Sequence, residues 1–215
     1  MSDKFLSKFC GWCIAIIASL FIISGVLGIF LFNRSDKYVF KVQRENVELM
    51  YEGARADLVQ CVDSTMRIYA PTTCLNGITL LQKCEEYGVD IFFVLAQGHK
   101  ESHFGTKGMA SKTNSVFNVY AYDGHNFNKI NKKGKYEHPD LSIEPYLKLL
   151  KNRYMVDGKS EIDLMHNYVD KDGNRYASSK EYENDLINIY QMYISNKKLN
   201  DCLQRYTKYK LLAGK

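Results

Sequence analysis

Glu101 stands near the end of an otherwise apolar run, Asp90-Ile-Phe-Phe-Val-Leu-Ala-Gln-Gly-His-Lys-Glu-Ser-His-Phe-Gly. Asp90 is a favourable helix N-cap. The apolar run Ile91, Phe92, Val94, Leu95 and Ala96 is too long and too well capped for an edge strand. The pattern predicts a buried helix from Ile91 to about Ser102, ended by Gly105 and Gly108. A carboxyl on the last turn of such a helix meets the negative end of the helix dipole and loses part of its water, and both effects favour the protonated form. A carboxylic acid that keeps its proton near neutral pH is the group needed to protonate a leaving oxygen when a glycosidic bond is cut. A competing chemistry would use His99 and His103, which share a helix face as metal ligands do. Glu101 lies two residues from each and points roughly the other way, whereas the zinc-peptidase pattern has Glu directly after the first His. A third ligand would have to come from His125, His138 or His166. No metal or other cofactor is expected, and His103 is left to line a cleft.

The surrounding residues extend the pattern. Ala96-Gln97, Glu101-Ser102, Phe104-Gly105 and Thr113-Asn114-Ser115-Val116-Phe117-Asn118-Val119 resemble the signature of the glucosaminidases of glycoside hydrolase family 73. That family includes bacterial autolysins and the peptidoglycan hydrolase domain of flagellar rod-cap proteins. Further on, Gly173-Asn174-Arg175-Tyr176-Ala177-Ser178-Ser179-Lys180-Glu181-Tyr182 resembles the family's Gly-Tyr-Ala-Thr-Asp-x-x-Tyr stretch. Ser142-Ile143-Glu144-Pro145-Tyr146-Leu147-Lys148-Leu149-Leu150 resembles its Ser-x-Glu-x-Tyr-x-x-Leu-Leu helix, where Glu144 suits capping better than catalysis. The resemblance covers roughly Leu75 to Met192. It implies a mainly α (α+β), lysozyme-like domain with a small β-lobe or hairpin over the cleft. It implies cleavage of the β-1,4 bond between N-acetylglucosamine and N-acetylmuramic acid, so that peptidoglycan glycan strands are the expected partner. Glu101 is then the general acid, Tyr176 sits in the cleft, and Gln97, Ser102, Asn114, Phe117, Asn118 and Tyr120 are expected to bind sugar. The chain departs from the family at the second carboxylate. Asp123, Glu137 and Asp140 are candidates, but Tyr136-Glu137-His138-Pro139 is not the familiar hairpin. Inversion with a loop carboxylate as base and assistance by the substrate's own 2-acetamido group both stay open.

The elements that must position these groups follow from the rest of the chain. Residues 9–32 carry no charge, a stretch long enough to cross a bilayer, without the short apolar core and small-x-small exit of a cleaved signal. An N-terminal membrane anchor over 1–37 is expected, with the remainder of the chain outside the inner membrane. A helical stem follows over 38–70, broken at Ala70-Pro71-Thr72-Thr73. The catalytic domain is expected over 71–195 and a basic, partly helical extension over 196–215. Helices are predicted from about Asn76 to Tyr87, burying Ile78, Leu80, Leu81 and Cys84; from Ser142 as N-cap; over Asp163 to Val169; and from Glu181 to Ile194, capped by Ser178 or Ser179. Tyr182, Leu186, Ile189, Tyr190 and Tyr193 are spaced for the core face of the last. Turn signals over Tyr120 to Asp140 predict a loop or short hairpin. A net charge of +5 in 215 residues is too small to argue for nucleic acid and suits an anionic envelope polymer. Cys61, Cys74, Cys84 and Cys202 lie outside the apolar stretch. They allow up to two disulfides in three connectivities, or none.

Overall fold

The computed structural model describes Ser24 and residues 39–119 and 134–215. The apolar stretch 9–32 and the turn-rich segment that includes Tyr120 and Asp123 lie outside the described residues. Among the described residues the chain is mainly helical, with no strand and a single isolated antiparallel bridge between Val169 and Arg175. No described helix is long and apolar enough to cross a membrane.

Helix α1 covers 39–69. Helix α2 (Gly77–Tyr87) and α3 (Ile91–Ser102) are joined by Gly88, whose left-handed φ of 57° closes α2. A short α4 (Ala110–Thr113) follows, then a 3-10 turn, Pro139–Ser142, leading into α5 (Ile143–Leu149). A π turn over Leu150–Tyr154 continues it. Helix α6 is Glu161–His166, α7 is Tyr182–Ile194 and α8 is Lys197–Leu212. Helix α6 opens two residues earlier than Asp163 because Ser160 and Asp163 form a capping box, each side chain on the other's main-chain N–H.

Two compact units divide the chain. One joins residues 1–51 to 209–215, and the other runs from Glu52 to Lys208. In the first, Val39, Phe40, Leu49 and Met50 are exposed, and Lys215 lies over the ring of Tyr51 and pairs with Glu48. In the second, α3 packs along α7, α6 packs on α7, and α2 contacts both α5 and α3. This unit takes in the end of the stem and most of the expected extension. Ala54, Leu58, Val62 and Met66 of α1 are buried in it, as are Leu199 and Tyr206 of α8. Arg55 and Tyr206 both bond to Glu85 of α2. Cys61 and Cys202 form a disulfide with Cα atoms 6.8 Å apart, while Cys74 is exposed and Cys84 buried as free thiols.

The helix predicted from Asn76 is present, but its buried face is Gly77, Leu80, Leu81 and Cys84, and Ile78 is 52% exposed. The buried set follows i, i+3, i+4, i+7 from Gly77, which turns Ile78 aside. Gly77 is small because a Cβ there would lie 2.8 Å from the Asp63 carboxylate that accepts its N–H. Ser142 precedes α5 as expected, yet its hydroxyl makes no cap. It accepts from the Val116 N–H and donates to the Pro139 carbonyl, tying two loops together. The seryl hydroxyl of Ser179 accepts from the Glu181 N–H at the entrance to α7, in a weak version of the expected cap.

Candidate active site

Helix α3 begins as its sequence dictates: the Asp90 carboxylate accepts from the Phe92 N–H. Every residue from Ile91 to Gly98 is buried. The helix stops before the glycines, at His103 and Phe104, whose φ values of 47° and 54° turn the chain left-handed ahead of Gly105. The carbonyl end of α3 therefore stays close behind Glu101. Gly98 lets two rings approach the helix, since a Cβ there would lie 3.3 Å from both Phe104 and Phe117.

Glu101 is bound through both carboxyl oxygens. Tyr182 Oη, from the first residue of α7, donates to Oε1. Asn118 Nδ2 donates to Oε2 at 3.0 Å and to the Glu101 main-chain carbonyl at 3.0 Å. Asn118 reaches it from a left-handed residue, φ 50°, a conformation that Asn tolerates better than most side chains. Burial pushes the Glu101 carboxyl above the usual carboxylate range, against the opposing pull of the Tyr182 and Asn118 hydrogen bonds and the Lys100 charge. Lys100 itself pairs with Asp185 of α7. Burial, and then the charge of Glu101, push the phenols of Tyr176 and Tyr182 well above their ordinary value, so both stay donors.

Tyr176 comes to the same place by a different route. It follows a tight turn in which Asp170 Oδ1 accepts from the N–H groups of Asp172 and Asn174, while Arg153 bridges the Asp170 and Asp172 carboxylates at 2.7 Å each. The Tyr176 ring stacks on Tyr168, with centroids 4.5 Å apart, and its hydroxyl donates to the Phe117 carbonyl at 2.9 Å. The loop carrying Asn118 and the loop carrying Tyr176 are thus joined directly.

Several of the residues expected to bind sugar lie beneath the site instead. Gln97 and Phe117 are 0% exposed and Ser102 is 2% exposed. Gln97 Nε2 donates to Tyr182 Oη. Ser102 Oγ donates to the Val116 carbonyl and accepts from the Gly105 N–H. Phe117 stacks on Tyr146 with centroids 4.0 Å apart. Asn114, also left-handed, donates to the main-chain carbonyls of Tyr136 and Glu137. Glu137 is exposed. Asp140 is occupied as a cap of α2: its carboxylate accepts from the Asn76 main-chain and side-chain N–H groups and from Thr79. Glu144 is held down to about 2 by hydrogen bonds from Lys148 and Lys83, so it acts as the anchor of an ion cluster.

His99 Nδ1 lies 2.8 Å from Tyr193 Oη, and burial lowers the imidazole to about 4. The His99 and His103 rings meet edge to face at 4.8 Å. Among the described residues no group of three or more His, Cys, Asp or Glu side chains is placed to hold a metal ion. The site residue that the linear pattern concealed is Tyr182. It fits the apolar stripe of α7, and the signals for it are its polar tip within that stripe and its place as the closing Tyr of the second signature stretch.

Residues 78–195, more than half of the chain, match the family model for glucosaminidase, described as mannosyl-glycoprotein endo-beta-N-acetylglucosaminidase. No curated protein matches the chain.

Proposed function

The chain belongs to the glucosaminidase family of glycoside hydrolases, and from that premise we propose that it is a peptidoglycan hydrolase. It cuts the β-1,4 bond between N-acetylglucosamine and N-acetylmuramic acid, with Glu101 as general acid. The observation that carries this reading is the part-buried Glu101 carboxyl at the end of α3, its proton affinity raised by loss of water. Glu101 gives its proton to the leaving oxygen, and the donors Tyr182 and Asn118 stabilise the carboxylate that remains. Tyr176 stabilises positive charge on the sugar. Its hydroxyl donates to the Phe117 carbonyl, which fixes the ring in the neighbourhood of Glu101. The second group is Asp123 or Glu137, or the 2-acetamido group of the substrate. The mainly helical domain fits a lysozyme-like plan.

Mass spectrometry of purified sacculi digested by the chain tests this directly. Soluble fragments with N-acetylglucosamine at the reducing end are expected. Reducing-end muramic acid would place the cut at the other bond, and anhydro sugars would make the chain a lytic transglycosylase. Binding without release would make it a wall-binding module.

The uncharged stretch 9–32 supports a single-pass anchor that holds the domain outside the inner membrane. Protease added to spheroplasts should then remove the domain, and full protection would refute that placement.

A further inference from the structure

Gln97 is wholly buried one helical turn before Glu101. Its Nε2 donates to Tyr182 Oη at 2.6 Å, and the same Tyr182 oxygen donates to Glu101 Oε1. A phenol has one proton and accepts at its lone pairs. With the amide N–H occupying an acceptor position, the Tyr182 proton is directed at Glu101. Among the described residues, Gln97 Oε1 has no hydrogen-bond partner. A buried acceptor left in that state is costly and calls for an explanation at a functional site. Turned over, the amide would accept from Tyr182 and relieve that oxygen, but the phenol would then no longer donate to Glu101. The arrangement thus keeps the donation to Glu101 at the expense of Gln97.

We propose that Gln97 is a positioning residue that aims the Tyr182 hydroxyl at Glu101 Oε1 and so sets how firmly the acid holds its proton. The proposal rests on the reading of Glu101 as the acid. It also removes Gln97 from the sugar-contacting set. The other groups that face Glu101 are Lys100, paired with Asp185; Asn118; and the phenols of Tyr176, Tyr168 and Tyr146. Gln97 also hydrogen-bonds Tyr176, whose own hydroxyl is given to the Phe117 carbonyl and not to Glu101. A change at Gln97 leaves the charge of each of these groups untouched, and its hydrogen-bonded route to Glu101 runs through Tyr182.

The sign follows from the donors. A hydrogen bond to the ionised carboxylate lowers its proton affinity, and losing it raises that affinity. The side-chain carboxyl of Glu101 can be titrated in the full chain by carbon-13 NMR with labelled glutamate, its signal assigned by its loss in Glu101→Gln. Tyr182→Phe should move the midpoint up by about one pH unit. Gln97→Met should move it the same way by less, and Gln97→Leu, of different shape, should repeat that direction. The double variant Gln97→Met with Tyr182→Phe should match Tyr182→Phe alone, because a residue acting only through Tyr182 has nothing left to act on. The basic limb of sacculus hydrolysis should move in parallel. An unmoved midpoint in Tyr182→Phe, or shifts that add in the double variant, would overturn the proposal. The titration needs no turnover. A chain that titrates as expected yet releases no glycan would count against the hydrolase reading and not against the relay.

Discussion

At the residue scale, Glu101 is a case of burial winning over compensation. Two donors and a neighbouring lysine favour its charged form, yet loss of water leaves its proton affinity raised. Replacing it with Gln keeps the shape and removes the transferable proton. General acid catalysis contributes about a hundred- to ten-thousand-fold, so Glu101→Gln should lose that much of the rate of fragment release while still co-sedimenting with sacculi. The linkage has a definite sign. A carboxyl with its folded pKa above the unfolded value stabilises the fold below the unfolded value, and that contribution is lost as pH rises through the folded value. Above both, the carboxylate is a burden that the neutral amide avoids. Thermal melts should therefore place Glu101→Gln above the parent at pH 8, with the gap closing toward pH 4. A melt unchanged at pH 8 would mean that Glu101 is not strained by burial. Glu144→Gln is the control. Its carboxyl is depressed to about 2 by Lys148 and Lys83 in an exposed cluster. Its small stabilising effect is present above the ordinary Glu pKa and fades as pH falls toward 2, and turnover should be unaffected.

At the scale of elements, the site depends on how closely other segments approach α3. Gly98 is the point of closest approach, with Phe104 and Phe117 3.3 Å from where a Cβ would stand. Both rings are buried and have little room to retreat. Overpacking costs about 1–3 kcal/mol, against a gain of about 1 kcal/mol from replacing Gly by Ala in a helix. Gly98→Ala should thus lower the melting temperature, and it should lower activity as well, because the Phe117 carbonyl receives the Tyr176 hydroxyl. Gly53→Ala, in α1 with no described residue within 4 Å of a new Cβ, should instead stabilise by about 0.5–1 kcal/mol. If both variants melt above the parent, α3 has more room than the geometry allows. The Tyr176 loop is held in a different way. Asp170, Asp172 and Asn174 alternate along a turn in the manner of a cation-binding loop, and here the cation is the Arg153 guanidinium.

At the scale of the whole molecule, the Cys61–Cys202 disulfide ties the end of the stem to the last helix across 141 residues. Closing a loop of that length is worth about 4–5 kcal/mol in the chain-entropy account, so reductant should lower the melting temperature markedly. Thiol labelling of unfolded, unreduced chain should find Cys74 and Cys84 reactive outside the 9–32 stretch, and four reactive thiols there would refute the pairing. The linear sequence determined a good deal by itself. Local capping and 3.6-residue periodicity suffice for α3, for α7 and for the placing of Glu101 on a desolvated last turn, because these depend on residues within a few positions of one another. The two signature stretches likewise marked the family. What only the tertiary structure decided depends on contacts between distant positions. Tyr182 meets Glu101 across 81 residues, and Asp140 caps α2 from 64 residues away. Cys202 selects Cys61 from among the cysteines that spacing alone could not rank. The same holds for Gln97, Ser102 and Phe117, polar or aromatic residues in a cleft motif that burial turns into supports. Hydrophobic pattern tells which face of a helix is covered, but which side chain on the covering element supplies the proton donor is settled only when the helices pack.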